Sequence, residues 1–391
     1  MMKLKKIIAL FCCAVIGLFV LTACGDKGNK GSSENMKNNV LCEENVKLLG
    51  RTYMIDDTLW LSLSGSGVDF SYMGKKLSMT VVGDGASTIS GNDTNYARLA
   101  VYVDGERVID DMINSSEKSY TIFESDKEKT VSVQIIKLSE TAMSTLGIKP
   151  LELGEGGKLA PAPEKTHKIE FIGDSITCGY GVDDEDPNHN FSTATEDVTK
   201  AYAYKTAQKL NADYSMFSTS GYGIISGYTS NDEKVTQQTI PQYYESMGFS
   251  WNSFNNMLRP QDAEWDFSRY QPDLVVINLG TNDDSYCKSN GERQEEYSSA
   301  YVEFLKKVRK NNPTAHIICS VGIMGTRIYP AVEMAVYSYT KETGDENISA
   351  FKFEHQDGEN DGLAADWHPT EATHEKASDK LVEYIRTVMS W

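Results

Sequence analysis

Ile169-Glu170-Phe171-Ile172-Gly173-Asp174-Ser175-Ile176-Thr177 is a short apolar run that breaks on a glycine and gives way to small polar residues. A run of this length bounded by a turn residue reads as a buried strand. The same transition recurs downstream. Residues 214–218 lead into Ser220-Gly221-Tyr222-Gly223, and residues 274–279 lead into Gly280-Thr281-Asn282-Asp283. Residues 316–321 and 348–353 add two more apolar runs. Between the runs the apolar period changes to that of a helix. Ala201, Tyr204, Ala207 and Leu210 mark one helix over 200–210. Ala300, Tyr301, Phe304, Leu305 and Val308 mark another over 295–310. Residues 331–341 and 370–389 follow the same pattern. Strands alternating with helices predict an α/β domain over 168–391, a parallel sheet covered on both faces.

N-terminal to this domain the pattern differs. Residues 59–63, 68–72, 76–82, 97–103, 120–123 and 131–138 read as strands, with no helical stretch among them. Asp104-Gly105 is a hairpin signal, because both turn positions need positive φ. Regular strands with Gly and Asp turns predict an all-β sandwich of jelly-roll type over 41–155. Residues 156–167, which include Gly156, Gly157, Pro161 and Pro163, read as the linker.

The first 23 residues read as an address. Lys3, Lys5 and Lys6 precede an apolar run over 7–21, and Leu21-Thr22-Ala23-Cys24 follows. The run is shorter than the ~20 residues of a spanning helix. Cys24 in this setting resembles the lipobox of bacterial lipoproteins. That resemblance implies cleavage before Cys24, a lipid on that residue, and a location on the outer face of the bacterial cell membrane. Residues 24–40 are largely Gly, Ser, Asn and Lys and read as a flexible tether.

The chain carries 38 Lys and Arg against 56 Asp and Glu, a net charge of -18. Cleavage before Cys24 would remove three lysines and no acidic residue, leaving the rest more acidic still. Such a chain lacks the footprint of a nucleic-acid binder. Cys42, Cys178, Cys287 and Cys319 form no C-x-x-C pair and read as buried free thiols.

In parallel sheets the reactive groups sit beyond the carboxyl ends of the strands. There the sequence places Ser175, Gly221 and Asn282, and it places Asp366-Trp367-His368-Pro369 before the last helix. A serine hydroxyl is a weak nucleophile at neutral pH and needs a base, a task suited to histidine. Attack on an ester creates an oxyanion, which the amides of Ser175 and Gly221 and the Asn282 carboxamide are suited to receive. Asp366, His368 and His374 fit no metal-ligand spacing. Asp183-Asp184-Glu185-Asp186 lacks the spacing of a calcium loop and reads as a solvated loop. The connection over 228–270 carries Tyr243, Tyr244, Phe249, Trp251, Phe254 and Trp265. Long connections of this kind wall sites, and Trp251 or Trp367 is a candidate sugar platform, with plain packing the alternative for Trp251.

Gly173-Asp174-Ser175, Gly221, Gly280-Thr281-Asn282-Asp283 and Asp366-Trp367-His368-Pro369 match, in order, the four blocks of the SGNH/GDSL hydrolase superfamily, whose parallel-sheet domain is flavodoxin-like. The β-domain with its Gly65-Ser66-Gly67-Val68 turn, together with the last block, resembles carbohydrate esterase family 2, which joins a jelly roll to an SGNH domain. The resemblance implies Ser175 as nucleophile, His368 as base, Ser175, Gly221 and Asn282 as oxyanion donors, and neither metal nor cofactor. Most of the superfamily places an acidic residue three before the histidine. Here that position is Ala365, and the carboxylate is Asp366, two before. Two ways of orienting His368 therefore stand open: Asp366 as third triad member, or a backbone carbonyl.

The expected function is that of a serine esterase removing acetyl groups from a polysaccharide such as xylan or mannan. An esterase acting on lipid or peptidoglycan acyl groups is the alternative in the same class. A non-catalytic carbohydrate-binding lipoprotein is the alternative outside it, although both nucleophile and base are present. The absence of G-x-S-x-G disfavours an α/β-hydrolase fold.

Overall fold

The structure, a computed structural model, describes residues 40–391. The signal segment, Cys24 and the tether up to residue 39 lie outside the described residues.

Nine strands build the N-terminal region: β1 (Lys47–Leu49), β2 (Thr52–Ile55), β3 (Thr58–Leu61), β4 (Gly67–Gly83), β5 (Ala97–Val103), β6 (Glu106–Ile113), β7 (Glu117–Lys137), β8 (Leu146–Ile148) and β9 (Lys158–Pro161). All pair antiparallel. Strands β4 and β7 form one long ribbon whose register shifts between Gly74 and Lys76 and again between Leu77 and Ser78. The side-chain period is two, so such a shift changes which parity faces inward. Val68, Phe70 and Tyr72 point into the core before it, and Leu77, Met79 and Val81 after it. The ribbon thereby serves two layers around one core. One layer adds β1, β9, β5 and β6; the other adds β8, β3 and β2. The turn between β5 and β6 has φ 49° at Asp104 and 83° at Gly105, the positive values the hairpin signal requires.

The expected linker is partly sheet. Gly154 and Gly156, with φ 66° and 73°, turn the chain back so that β9 lies along β4, pairing Pro161 with Phe70. Proline is acceptable there because an edge strand leaves one side of its backbone unpaired.

The C-terminal region holds β10 (His167–Gly173), β11 (Ala212–Ser218), β12 (Leu274–Asn278), β13 (His316–Ile323) and β14 (Ile348–His355). They form one parallel sheet in the order β11-β10-β12-β13-β14. This is the doubly wound 2-1-3-4-5 arrangement, whose switch point lies between β10 and β12. Gly173 pairs with Ser218 on one side and Asn278 on the other, so the loops after these three strands begin level with one another. Alternation along the strands loads both faces. Val275, Ile277, Ile317 and Cys319 pack with residues of the helices Gly291–Asn311 and Tyr329–Thr343. Ile169, Phe171, Val276 and Ile318 pack with residues of Tyr202–Lys209 and Glu371–Met389.

The two regions share buried contacts. Arg51, fully buried, pairs with Glu170 at 3.0 Å and donates to the carbonyls of Tyr244 and Ser246. Its guanidinium lies 4.3 Å from the Phe217 ring centre. Much of the aromatic connection over 228–270 is spent on this contact, since Met247, Phe254 and Trp265 pack with Trp60. Asp183 is also more than a solvated side chain, because it pairs with Arg98 of β5 and with Lys200, each at 2.6 Å.

Candidate active site

Strand β10 ends at Gly173, where a Cβ would lie 2.0 Å from the Thr177 Oγ1, so only glycine fits. Asp174 then caps the short helix Ser175–Cys178, its carboxylate accepting from the Ile176 amide at 3.1 Å. Ser175 is thus the first residue of a helix at the sheet's switch point, with 6% of its surface exposed. The turn Ala365–Trp367, just before the final helix, delivers His368 to it. His368 Nε2 lies 2.9 Å from Ser175 Oγ.

The other ring nitrogen settles how the imidazole is held. His368 Nδ1 lies 3.2 Å from the Ala365 carbonyl and 3.1 Å from the Asp366 carbonyl. Two acceptors at Nδ1 require the proton there, leaving the Nε2 lone pair facing the serine hydroxyl. The Asp366 carboxylate is elsewhere: it accepts from the Tyr180 hydroxyl and, at 2.9 Å, from the Phe191 amide. Asp366 as the carboxylate of a triad is therefore corrected. The cause is backbone geometry, since Asp366 and Trp367 have φ 49° and 65°. This left-handed turn aims carbonyls at the ring and swings the side chain away. Tyr180, which sequence reasoning passed over, stacks on the imidazole with ring centres 3.8 Å apart. Burial pushes the imidazolium pKa down to about 4, against the smaller upward pull of the two carbonyls and the Asp366 charge. The His368 imidazole is neutral at physiological pH.

The candidate oxyanion donors lie in the loops after β11 and β12. Gly221 has φ 80°, and a Cβ there would meet nothing, so conformation rather than close approach calls for glycine. Among the described residues no acceptor takes the amide hydrogen of Ser175 or Gly221. Asn282 Nδ2 lies 2.9 Å from the Tyr222 carbonyl and 3.2 Å from the Asp174 carboxylate. The longer contact is at the limit of the usual range. Asn282 lies in the first turn of the helix Thr281–Cys287. Asp283 beside it accepts from the amides of Ile224, Ile225 and Ser226, tying down the strand-end loop. A Cβ on Gly223 would sit 2.4 Å from the Asp283 carboxylate, which explains the second glycine of that loop. Asp283 was legible as part of a motif, but its role was not.

Trp367, the residue before His368, is 59% exposed, and Trp251 is 70% exposed. Trp251 meets Phe249 edge-on, and Phe249 packs on Tyr222, whose carbonyl holds Asn282. His374 is buried and accepts from the Tyr202 amide at 3.1 Å.

The family model described as GDSL-like lipase/acylhydrolase matches residues 171–376. The chain belongs to the GDSL-like lipase/acylhydrolase family. A second model, described as carbohydrate esterase 2 N-terminal, matches residues 48–163. The acylhydrolase is 29% identical over 332 residues to the cellulase/esterase CelE of Acetivibrio thermocellus, covering 84% of this chain and 37% of that protein. It is 26% identical to an acetylxylan esterase / glucomannan deacetylase of Cellvibrio japonicus, covering 96% of this chain and 97% of the relative. The acetyl xylan esterase Est2A of Butyrivibrio proteoclasticus superposes with a TM-score of 0.79 at 26% identity, over 90% of this chain and 97% of that one.

Proposed function

We propose that this acylhydrolase removes O-acetyl groups from a polysaccharide or oligosaccharide of the xylan or mannan class. The observation that carries the chemistry is the 2.9 Å contact between His368 Nε2 and Ser175 Oγ. His368 takes the hydroxyl proton as Ser175 Oγ bonds to the acetyl carbonyl carbon. The carbonyl oxygen becomes an oxyanion facing the amides of Ser175 and Gly221 and the Asn282 carboxamide. When the tetrahedral adduct collapses, the sugar oxygen leaves with the proton from His368. Water then repeats the sequence on the acetyl-serine and releases acetate. The substrate class is supported by the names of the Cellvibrio and Butyrivibrio relatives and by the match to a carbohydrate esterase N-terminal region. The exposed indoles of Trp251 and Trp367 suit the apolar faces of sugars. Acetate release from acetylated xylan or glucomannan is the test. It should vanish in Ser175→Ala, and a Ser175→Ala protein that still released acetate would refute the reading.

The lipobox-like Cys24 supports anchoring at the outer face of the bacterial membrane, within reach of extracellular polymer. Cys24→Ser should move the protein from the membrane fraction to the soluble fraction, and unchanged fractionation would count against the anchor.

A further inference from the structure

The residue just before Gly221 is held from the other domain. The Ser220 amide donates to Glu140 Oε2 at 2.8 Å. Glu140 follows strand β7 in the β-domain and is fully buried. Its own amide donates to Glu196 Oε2 at 2.7 Å. Each of the two carboxyl groups thus has one engaged oxygen, while Oε1 of each is buried without a partner among the described residues. A carboxylate oxygen from each lies within 4.8 Å of the other and of Cys178 Sγ, on the nucleophile's own helix.

Two carboxylates this close in a dry site do not both ionise. Burial raises the pKa of both, and the Glu140 charge raises that of Glu196 further. A proton held by one of the two leaves the pair a single negative charge. The buried Lys137 ammonium, bonded at 2.7 Å to the carbonyls of both Ser139 and Glu140, balances that charge.

The loop carrying Gly221 is therefore clamped at both ends. Asp283 grips residues 224–226 from within the hydrolase domain, and Glu140 grips Ser220 from the β-domain. Between the clamps stands a glycine, the residue least able to hold its own conformation. We propose that Glu140 is a positioning residue for the oxyanion hole, by which the β-domain fixes the direction of the Gly221 amide. This rests on the reading of Gly221 as an oxyanion donor in an acyl-transfer site.

Kinetics of p-nitrophenyl acetate hydrolysis by the full chain, per site titrated with a fluorophosphonate, tests the proposal without assuming a polymer substrate. Removing an oxyanion donor outright costs about 10²–10³ in rate, so a misaimed one should cost about 10- to 100-fold. Glu140→Ala is expected to lower kcat by that factor with KM within about twofold. It should weaken inhibition by an alkylboronic acid, whose adduct places an oxygen in the oxyanion position, by a similar factor. Glu140→Gln keeps an acceptor for Ser220 and gains a donor for Glu196, and should stay within about threefold of wild type. Glu140→Asp keeps the charge but withdraws the acceptor by one methylene; it should behave like Glu140→Ala and serves if the alanine variant does not fold. Wild-type kcat per titrated site in either short variant, or equal damage in Glu140→Gln, would overturn the proposal. Loss of fluorophosphonate labelling on Ser175→Ala separately checks the underlying hydrolase reading.

Discussion

Replacing Asp366 with asparagine distinguishes a carboxylate-oriented base from a carbonyl-oriented one. Asparagine tolerates the left-handed conformation at φ 49°, so the substitution leaves the turn intact. Where a carboxylate holds the catalytic imidazole, its amide replacement costs about 10⁴ in turnover, which is about 5.5 kcal/mol at 1.36 kcal/mol per decade. Here the imidazole is held by the Ala365 and Asp366 carbonyls, and both survive the change. What is lost is the charge behind two bonds, from the Tyr180 hydroxyl and the Phe191 amide. A charged acceptor adds about 1 kcal/mol over a neutral one. What reaches the barrier is the part transmitted through Tyr180, which stacks on the ring, and the small direct pull of the Asp366 charge on the imidazolium. Turnover of Asp366→Asn should therefore fall by less than about tenfold, against near-complete loss in Ser175→Ala. The assay is ester hydrolysis normalised to titrated active sites, with the melting temperature measured alongside. A loss of 10³-fold or more at an unchanged melting temperature would refute carbonyl orientation and return the carboxylate to the imidazole.

Three further outcomes follow from named contacts. The His368 pKa is depressed, so the base stays neutral above it and is protonated as pH falls through it; kcat/KM should show an acid limb well below the ordinary 6.5, toward about 4, and a limb at or above 6.5 in a pH profile would contradict this. Gly223→Ala drives a methyl group against the Asp283 carboxylate and should destabilise by about 1–3 kcal/mol while lowering kcat; a wild-type rate and melting curve would show that the loop yields freely. Arg51→Met strips Glu170 of its buried partner and should cost about 3–5 kcal/mol, seen in chemical denaturation; an unchanged midpoint and slope would mean that the ion pair contributes nothing net.

The parallel sheet is legible because its strands are unambiguous. Residues 274–278 are apolar up to Asn278 and buried on both faces, which leaves no competing period. The ribbon of β4 and β7 is less so. Gly74 and Lys75 look like a turn, yet the chain stays extended through them and merely shifts register. Gly280-Thr281-Asn282-Asp283 is composed of turn formers, and only the three-dimensional context makes residue 281 a helix start. At the site, motif order identifies Ser175 and His368, and the geometry joins them. Spacing cannot tell whether Asp366 meets His368 with its side chain or its carbonyl, because that depends on the signs of the φ angles at Asp366 and Trp367. Arg51, Glu140 and Tyr180 leave no local trace. Their significance lies in contacts formed with residues far along the chain, and a single residue type at a single position carries no such information.

An oxyanion loop rich in glycine sets a physical problem. Glycine permits the conformation that presents a backbone amide, but it does not enforce it. Enforcement has to come from buried acceptors outside the loop, which cost little only when fully satisfied. One such acceptor, Asp283, adjoins Asn282 and is fixed by the same helix. The other reaches in from the β-domain, so its precision depends on how firmly the two domains are joined. The interface is built for this, with Arg51 buried against Glu170, Arg98 on Asp183 and Arg107 on Asp197. On this account the β-domain is part of the catalytic frame whether or not it touches sugar. Loosening the interface without unfolding either domain should therefore appear first in kcat, before it appears in substrate affinity.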